Sequence, residues 1–307
     1  MKTWIYKSKG NAMIAIAFIY IVAAVVAFIL FNPILDVVRP FGFYPLIVTM
    51  FIVDVIATII IYVFGVIFNN SSIYDPYWSV APPVMFAAWI FITGQTDLFI
   101  IITMIAILVW AFRLTYNWAI NFNGMHHQDW RYTMYKQNHP KLWQVINFFG
   151  IHFMPTLVVF LGLIPASFVI LERQGTILFG WVIIGFVICL LAATIQFISD
   201  KAMKEFRDRN KGIKSRTHID EGLWKYSRHP NYFGEVAFWW GLFIIQYGTS
   251  QNIYVIFGPI VVTLLFLFIS IPLMEKHVLK STPSYVTYQN QVSALIPWFR
   301  KQKKEGM

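Results

Sequence analysis

Charge is what this chain has least of. Only 12% of its 307 residues are Asp, Glu, Lys or Arg, about half the share of a soluble domain, while 58% are hydrophobic. Water is thereby excluded as the solvent for most of the folded surface, and an integral membrane protein is expected. Cysteine is nearly absent: Cys189 alone rules out an internal disulfide and any multi-cysteine zinc or iron–sulfur site. No G-x-G-x-x-G and no Walker motif occurs, so a dinucleotide would have to be held by side chains and helix ends. HExxH is missing as well. The adjacent His126 and His127 point different ways on a helix, and with His139 they lack zincin spacing, so no metal is expected. Acidic residues number 14 against 24 Lys and Arg. The basic excess lies in loops between apolar runs, where anionic lipid headgroups and the positive-inside bias account for it; nucleic acid is not an expected partner.

What the chain has in abundance is apolar runs, at roughly 12–31, 43–68, 79–93, 98–118, 148–171, 176–199, 232–248 and 253–273. Each is about long enough to cross a ~30 Å hydrocarbon layer. The reading is an all-α, polytopic membrane protein of eight spans, or seven if the short third or seventh run is re-entrant. The first run follows Lys2, Lys7 and Lys9, has no A-x-A pattern at its end, and is expected to be a mature spanning helix. With both termini cytoplasmic, the inside segments carry 21 of the 24 Lys and Arg residues; only Arg39 and Arg173 fall outside, and Arg113 lies within the fourth run. This asymmetry puts the chain in a cell inner (plasma) membrane. No repeat or linker is visible, so residues 1–307 read as one membrane domain.

The polar stretch from Asp200 to Glu235 stands out against this background. It holds nine basic residues: Lys201, Lys204, Arg207, Arg209, Lys211, Lys214, Arg216, Lys225 and Arg228. Gln196, Asp200, Lys204, Arg207 and Lys211 are spaced by three or four and share a helix face, which suits either a cofactor or a solvated helix end. Arg228-His229-Pro230-Asn231 places a cation and a ring nitrogen beside a helix N-terminus, whose free N–H groups favour an anion such as a cofactor phosphate or a lipid headgroup. Glu235 lies one turn on from Asn231 and needs a partner in a membrane helix. So do Arg113, at the end of its run, and Asp54, mid-span, whose role stays open. Arg131 suits a phosphate or its neighbour Asp129. Glu275, His277, Tyr285 and Tyr288 follow the last span on the cofactor side. Asp75, flanked by Tyr74, Tyr77 and Trp78, is a carboxyl whose burial would let it polarise a carbonyl; a plain Asp-Pro turn fits equally.

The string W-x-Y-S-R-H-P-N-Y-F-G-E from Trp224 to Glu235 resembles the membrane steroid 5-alpha-reductase family, a form shared with sterol reductases and isoprenylcysteine carboxyl methyltransferases. Tyr74-Asp75-Pro76-Tyr77-Trp78-Ser79, Asp129-Trp130-Arg131-Tyr132, Tyr285-x-x-Tyr288 and Leu295-Ile296-Pro297 are similar to the bacterial branch of that family. The resemblance covers about 70–298, leaving 1–70 as extra N-terminal helices. It implies NADPH as cofactor, bound through Gln196, Asp200, Arg207, Asn231, Glu235 and His277. Arg113, Arg131, Arg228, His229, Tyr232 and Tyr288 complete the expected cofactor set. The implied reaction is reduction of a carbon–carbon double bond conjugated to a carbonyl in a lipophilic steroid-, sterol- or isoprenoid-like substrate, with Asp75, Tyr74 and Tyr77 as the catalytic group. The chain departs from the family at Trp110, where the acid tyrosine stands, and at Leu273, where an arginine stands. Two alternatives remain, an S-adenosylmethionine-dependent methyltransferase of the isoprenylcysteine type and a non-catalytic lipid-binding membrane protein.

Overall fold

The computed structural model describes residues 2–42, 44–172, 175–212 and 217–301; Arg173, Lys214, Arg216, Lys303 and Lys304 lie outside these. Among the described residues the regular structure is helical, with one isolated bridge between Ser227 and Ser293. A short helix Lys2–Lys7 precedes α1 (Lys9–Val38), whose first turn is closed by the Ser8 side chain accepting the Asn11 N–H. Pro45 opens α2 (Pro45–Phe68) at the helix position where a missing N–H costs nothing. A one-turn helix Ser71–Tyr74, capped by Asn70, leads into α3 (Tyr77–Thr93). Then come α4 (Leu98–Asn121), α5 (Trp130–Asn138) and α6 (Trp143–Leu171), the last wound as a π-helix over Ile146–Phe153. They are followed by α7 (Phe179–Arg209), α8 (Pro230–Ser250), α9 (Ile253–Ser281) and α10 (Tyr285–Gln291).

Six of these are long and apolar enough to cross a membrane: Lys9–Phe41, Pro45–Phe68, Leu98–Asn121, Trp143–Leu171, Phe179–Arg209 and Ile253–Ser281. The protein is therefore an all-α polytopic membrane protein. The other two expected runs are also helices. The 17-residue α3 is roughly 25 Å long at 1.5 Å per residue, and α8 carries Glu235 and Gln246 among its aromatics. The side chains on α1 that face outward, Ile14, Phe18, Val25 and Phe28, are apolar, as lipid contact requires.

The chain forms two compact units, one of Met1–Thr96 with Leu114–Ile170 and one of Asp97–Arg113 with Leu171–Met307. The first is built on α2 lying along α1, with the polar turn Ser71–Tyr74 against α2. The second is built on α7 and α8, which approach closely because glycine lines their seam. An added Cβ would lie 2.6 Å from Ile245 N at Gly185, 2.5 Å from Gln196 Cγ at Gly234, 2.5 Å from Cys189 Sγ at Gly241 and 2.6 Å from Val182 Cγ2 at Gly248. In lipid, where no hydrophobic force draws apolar helices together, such close backbone packing is a main source of association.

Candidate functional site

In the first unit, polar side chains from α2, the Ser71–Tyr74 turn, α3, α5 and α6 converge inside the protein. Asp54, 4% exposed in the middle of α2, receives the Tyr77 hydroxyl at 2.5 Å. Tyr74 packs its ring on Tyr77, and its hydroxyl shares a 2.7 Å hydrogen bond with Thr156, which shares another at 2.9 Å with Thr58. Tyr20 edges onto the Tyr77 ring and donates to the Ile73 carbonyl at 2.7 Å. A buried carboxyl needs such donors, and the sequence pattern left Asp54 without one.

Asp75 is half-buried at the turn before α3 and accepts the Tyr132 hydroxyl at 2.7 Å. Asp129 caps α5 by accepting the Arg131 N–H, and the Arg131 guanidinium returns to Asp129 at 2.8 and 3.0 Å. Burial first, and then the Asp129 charge, pushes the Asp75 carboxyl up to about 7, against the Tyr132 hydrogen bond and the Arg131 charge. Of the two readings open for Arg131, the structure shows the pair with Asp129. It thus places Arg131 beside Asp75 rather than with the other residues expected to hold cofactor.

The sequence pattern singles out no histidine in the spans of this unit. His152 is fully buried, its Nδ1 lies 2.8 Å from the Asn147 carbonyl, its ring packs on Tyr74 and Tyr62, and its Nε2 has no partner among the described residues. The lone histidine within the run 148–171 was the available signal, because an ionisable residue in a membrane span needs a reason to be there.

The second unit gathers most of the expected cofactor residues into three groups. Arg113 pairs with Asp200 at 2.9 Å, and Asn231 donates to the same carboxylate at 3.2 Å. Glu235, 5% exposed, accepts from Trp110 at 2.9 Å, Gln196 at 2.8 Å and Trp239 at 3.2 Å. Trp110, which stands where the resembling family has a tyrosine, thus holds the Glu235 carboxyl. Arg228 donates to Glu275 at 2.6 Å and to the carbonyls of Gln289 and Val292. His229 lies 3.1 Å from the same Glu275 oxygen, with Tyr232 stacked on its ring. Tyr288 donates to the Trp224 carbonyl, tying α10 to the turn before α8.

Other expectations fall differently. The helix ends at Arg209, so Lys211 lies beyond the face it was expected to share, and Lys201 and Lys204 pair with Glu205 and Asp208 one turn on. Arg207 and His277 are exposed; in the last span it is Glu275, two residues before His277, that is buried. On the face of α8 opposite Glu235 lies a cavity of about 530 Å³, apolar in lining, bounded by Phe233, Val236, Trp240, Leu267 and Leu295. Among the described residues no cluster of His, Cys, Asp and Glu could hold a metal ion.

An uncharacterized protein of Schizosaccharomyces pombe, C594.04c, is 23% identical over 253 residues, covering 75% of this chain and 73% of that protein. No solved structure matches. The model of a family described as a protein of unknown function, DUF1295, matches residues 61–292, from within α2 through α10. The match takes in the polar groups of the second unit and Tyr74, Asp75, Tyr77 and Tyr132 of the first, while Asp54 and Thr58 precede it; the chain belongs to the DUF1295 family, which is associated with steroid 5-alpha-reductase-like proteins.

Proposed function

We propose that the protein is a membrane-embedded, NADPH-dependent reductase of a carbon–carbon double bond conjugated to a carbonyl in a lipophilic substrate. The observation that carries this reading is the pair of carboxyl–phenol contacts in the first unit, Asp54 with Tyr77 and Asp75 with Tyr132. Reducing such a bond places negative charge on the carbonyl oxygen, and a positioned acid that gives up a proton there stabilises it. A phenol backed by a carboxyl suits that task. Asp54 fixes the Tyr77 phenol by accepting its hydrogen bond; for Tyr77 to give its proton to the substrate oxygen, Asp54 would have to be protonated, turn its own O–H to the phenol and replace the proton lost. Asp75, shifted into the neutral range, would hold a proton that an ordinary carboxyl has lost at pH 7.

The second unit fits the cofactor by its donor set. Gln196 Oε1 is buried without a partner among the described residues, which suits a carboxamide N–H, and Lys204 and Arg207 present positive charge on the same helix. When bound, NADPH supplies the hydride. Arg228 is largely engaged by Glu275, so its part is to shape the turn before α8. The apolar cavity beside α8 supports a lipophilic ligand.

NADPH oxidation by the protein in lipid nanodiscs, offered progesterone or β-ionone as enone, tests the reading. Turnover should fall about 10²–10⁴-fold in Tyr77→Phe or Asp75→Ala if general acid catalysis is lost. NADPH affinity should fall about tenfold to hundredfold in Arg207→Ala, the size of one charge-assisted contact. The buried Arg228–His229–Glu275 group favours a second reading, because the methyltransferases share that motif. Saturable binding of S-adenosylmethionine without binding of NADPH would establish it in place of the reductase. Binding of neither would leave a non-catalytic lipid-binding protein.

A further inference from the structure

His152 has a defined tautomer by geometry alone. A backbone carbonyl only accepts, so the 2.8 Å contact with the Asn147 carbonyl puts the proton on Nδ1. In the neutral ring Nε2 is then a bare acceptor, fully buried and without a partner among the described residues. An unsatisfied buried acceptor is costly, and is rarely left so without a reason.

The π-helical winding of Ile146–Phe153 gives that acceptor its place, since Met154 N–H reaches back five residues to Phe149. Such windings occur disproportionately at functional sites. Opposite Nε2 stands Gly65 of α2. A Cβ built there would lie 3.7 Å from Nε2, 3.5 Å from the Asn70 carbonyl and 3.8 Å from Ser71 Cα, all ordinary contact distances. The missing side chain therefore leaves room for one methyl-sized group within 3.7 Å of Nε2. The surrounding groups are the rings of Tyr62 and Tyr74.

We propose that His152 Nε2 is the recognition point for a hydroxyl group of a lipophilic alcohol, which donates its hydrogen bond into the space beside Gly65. The ligand class is then a hydroxylated isoprenoid or sterol-like lipid, with the hydroxyl distinct from the carbonyl that the reductase reading addresses. The inference rests on that reading only in taking the first unit as the substrate's. His152 acts here as a binding group, with no proton transferred.

The test is solid-state NMR of the full chain, ¹⁵N-labelled at histidine, in lipid nanodiscs, with His152→Asn identifying the resonance. The probes are farnesol and cholesterol, each compared with its own methyl ether, which keeps the apolar body and removes the donor. The His152 Nε2 resonance should move with at least one alcohol and stay in place with the matching ether. The alcohol should bind about threefold to tenfold more tightly than the ether, the size of one neutral hydrogen bond. Gly65→Ala fills the space without a clash and favours the helix; in it, both the shift and the preference should disappear. Equal responses to alcohol and ether would overturn the proposal, and so would a resonance indifferent to all four probes, which marks a dry nitrogen or a bound water. No cofactor and no turnover enter this experiment. Absence of enone-dependent NADPH oxidation would sink the reductase reading and leave hydroxyl selectivity intact.

Discussion

At the scale of single residues, Asp75 shows how position converts an ordinary side chain into one with a task. Its carboxyl is half-buried at a helix entry, hydrogen-bonded by Tyr132 and faced by the Asp129 charge, and burial leads the causes that push it up to about 7. The sign of the consequence follows from linkage. Between an unfolded value near 3.8 and a folded value near 7, the folded protein holds a proton that the unfolded chain has released. The contribution to stability is thus fully present below about pH 4 and lost as pH rises through 7. Asp75→Asn removes the titration, so the wild type should lose stability relative to the variant across that window. A difference on the order of 2 kcal/mol is expected, allowing for partial exposure. Thermal unfolding in detergent at pH 4, 5.5 and 7.5 reads this directly, and parallel curves for the two proteins would remove Asp75 as a shifted group. The sequence pointed to Asp75 through its aromatic neighbours and to Arg113, Asp54 and Glu235 through the cost of unpaired charge in a membrane. It could not name their partners Asp200, Tyr77 and Trp110, because those contacts join segments far apart in the chain. His152 was not legible because a lone histidine in an apolar run carries no spacing pattern, and its partner Asn147 and neighbour Gly65 are set by the fold.

At the scale of elements, helix boundaries were legible wherever local chemistry sets them. Pro45 and Pro230 open their helices at the first turn, and Gly94 closes α3 in the left-handed region at φ 65°. The π-helical winding of α6 was not legible, because it depends on which groups the helix meets. Neither was the glycine seam of α7 and α8, although Gly234, Gly241 and Gly248 recur every seven residues on one face of α8. The seam makes a graded prediction. Gly241→Ala sets its new carbon 2.5 Å from Cys189 Sγ and 3.0 Å from the Gly185 carbonyl, so it should destabilise by roughly 1–3 kcal/mol through overpacking. Adding Cys189→Gly should recover part of that loss, since it removes the nearest atom. Gly180→Ala, at the start of α7 with nothing within 4 Å, should be neutral or slightly stabilising. Equal melting temperatures for the Gly180 and Gly241 variants would show that the seam does not govern stability.

At the scale of the whole molecule, the all-helical membrane class followed from composition alone, while the number of crossings turns on α3 and α8. If both cross, the eight spans put the basic stretch that includes Lys225 on the side of the N-terminus, and put the α3–α4 connection with Gln95 on the other. If neither crosses, the six remaining helices reverse both positions, and nearly all of the basic stretch 200–231 moves away from the N-terminus. The positive-inside bias discriminates between these, because Lys and Arg near span ends are retained on the cytoplasmic side. Eight spans place 21 of the 24 basic residues inside, so that is the expected arrangement. The native thiol of Cys189 is buried and does not interfere once replaced by alanine. In that background, Gln95→Cys and Lys225→Cys both lie at exposed positions. A membrane-impermeant maleimide applied to intact cells should label the cysteine at 95 and reach the one at 225 only after lysis. The reverse pattern would mean that α3 does not cross; α8 follows residue 225 and leaves its side unchanged. Labelling of both from outside would contradict either arrangement, because α4, α6 and α7 alone separate residues 95 and 225 and three crossings put them on opposite sides.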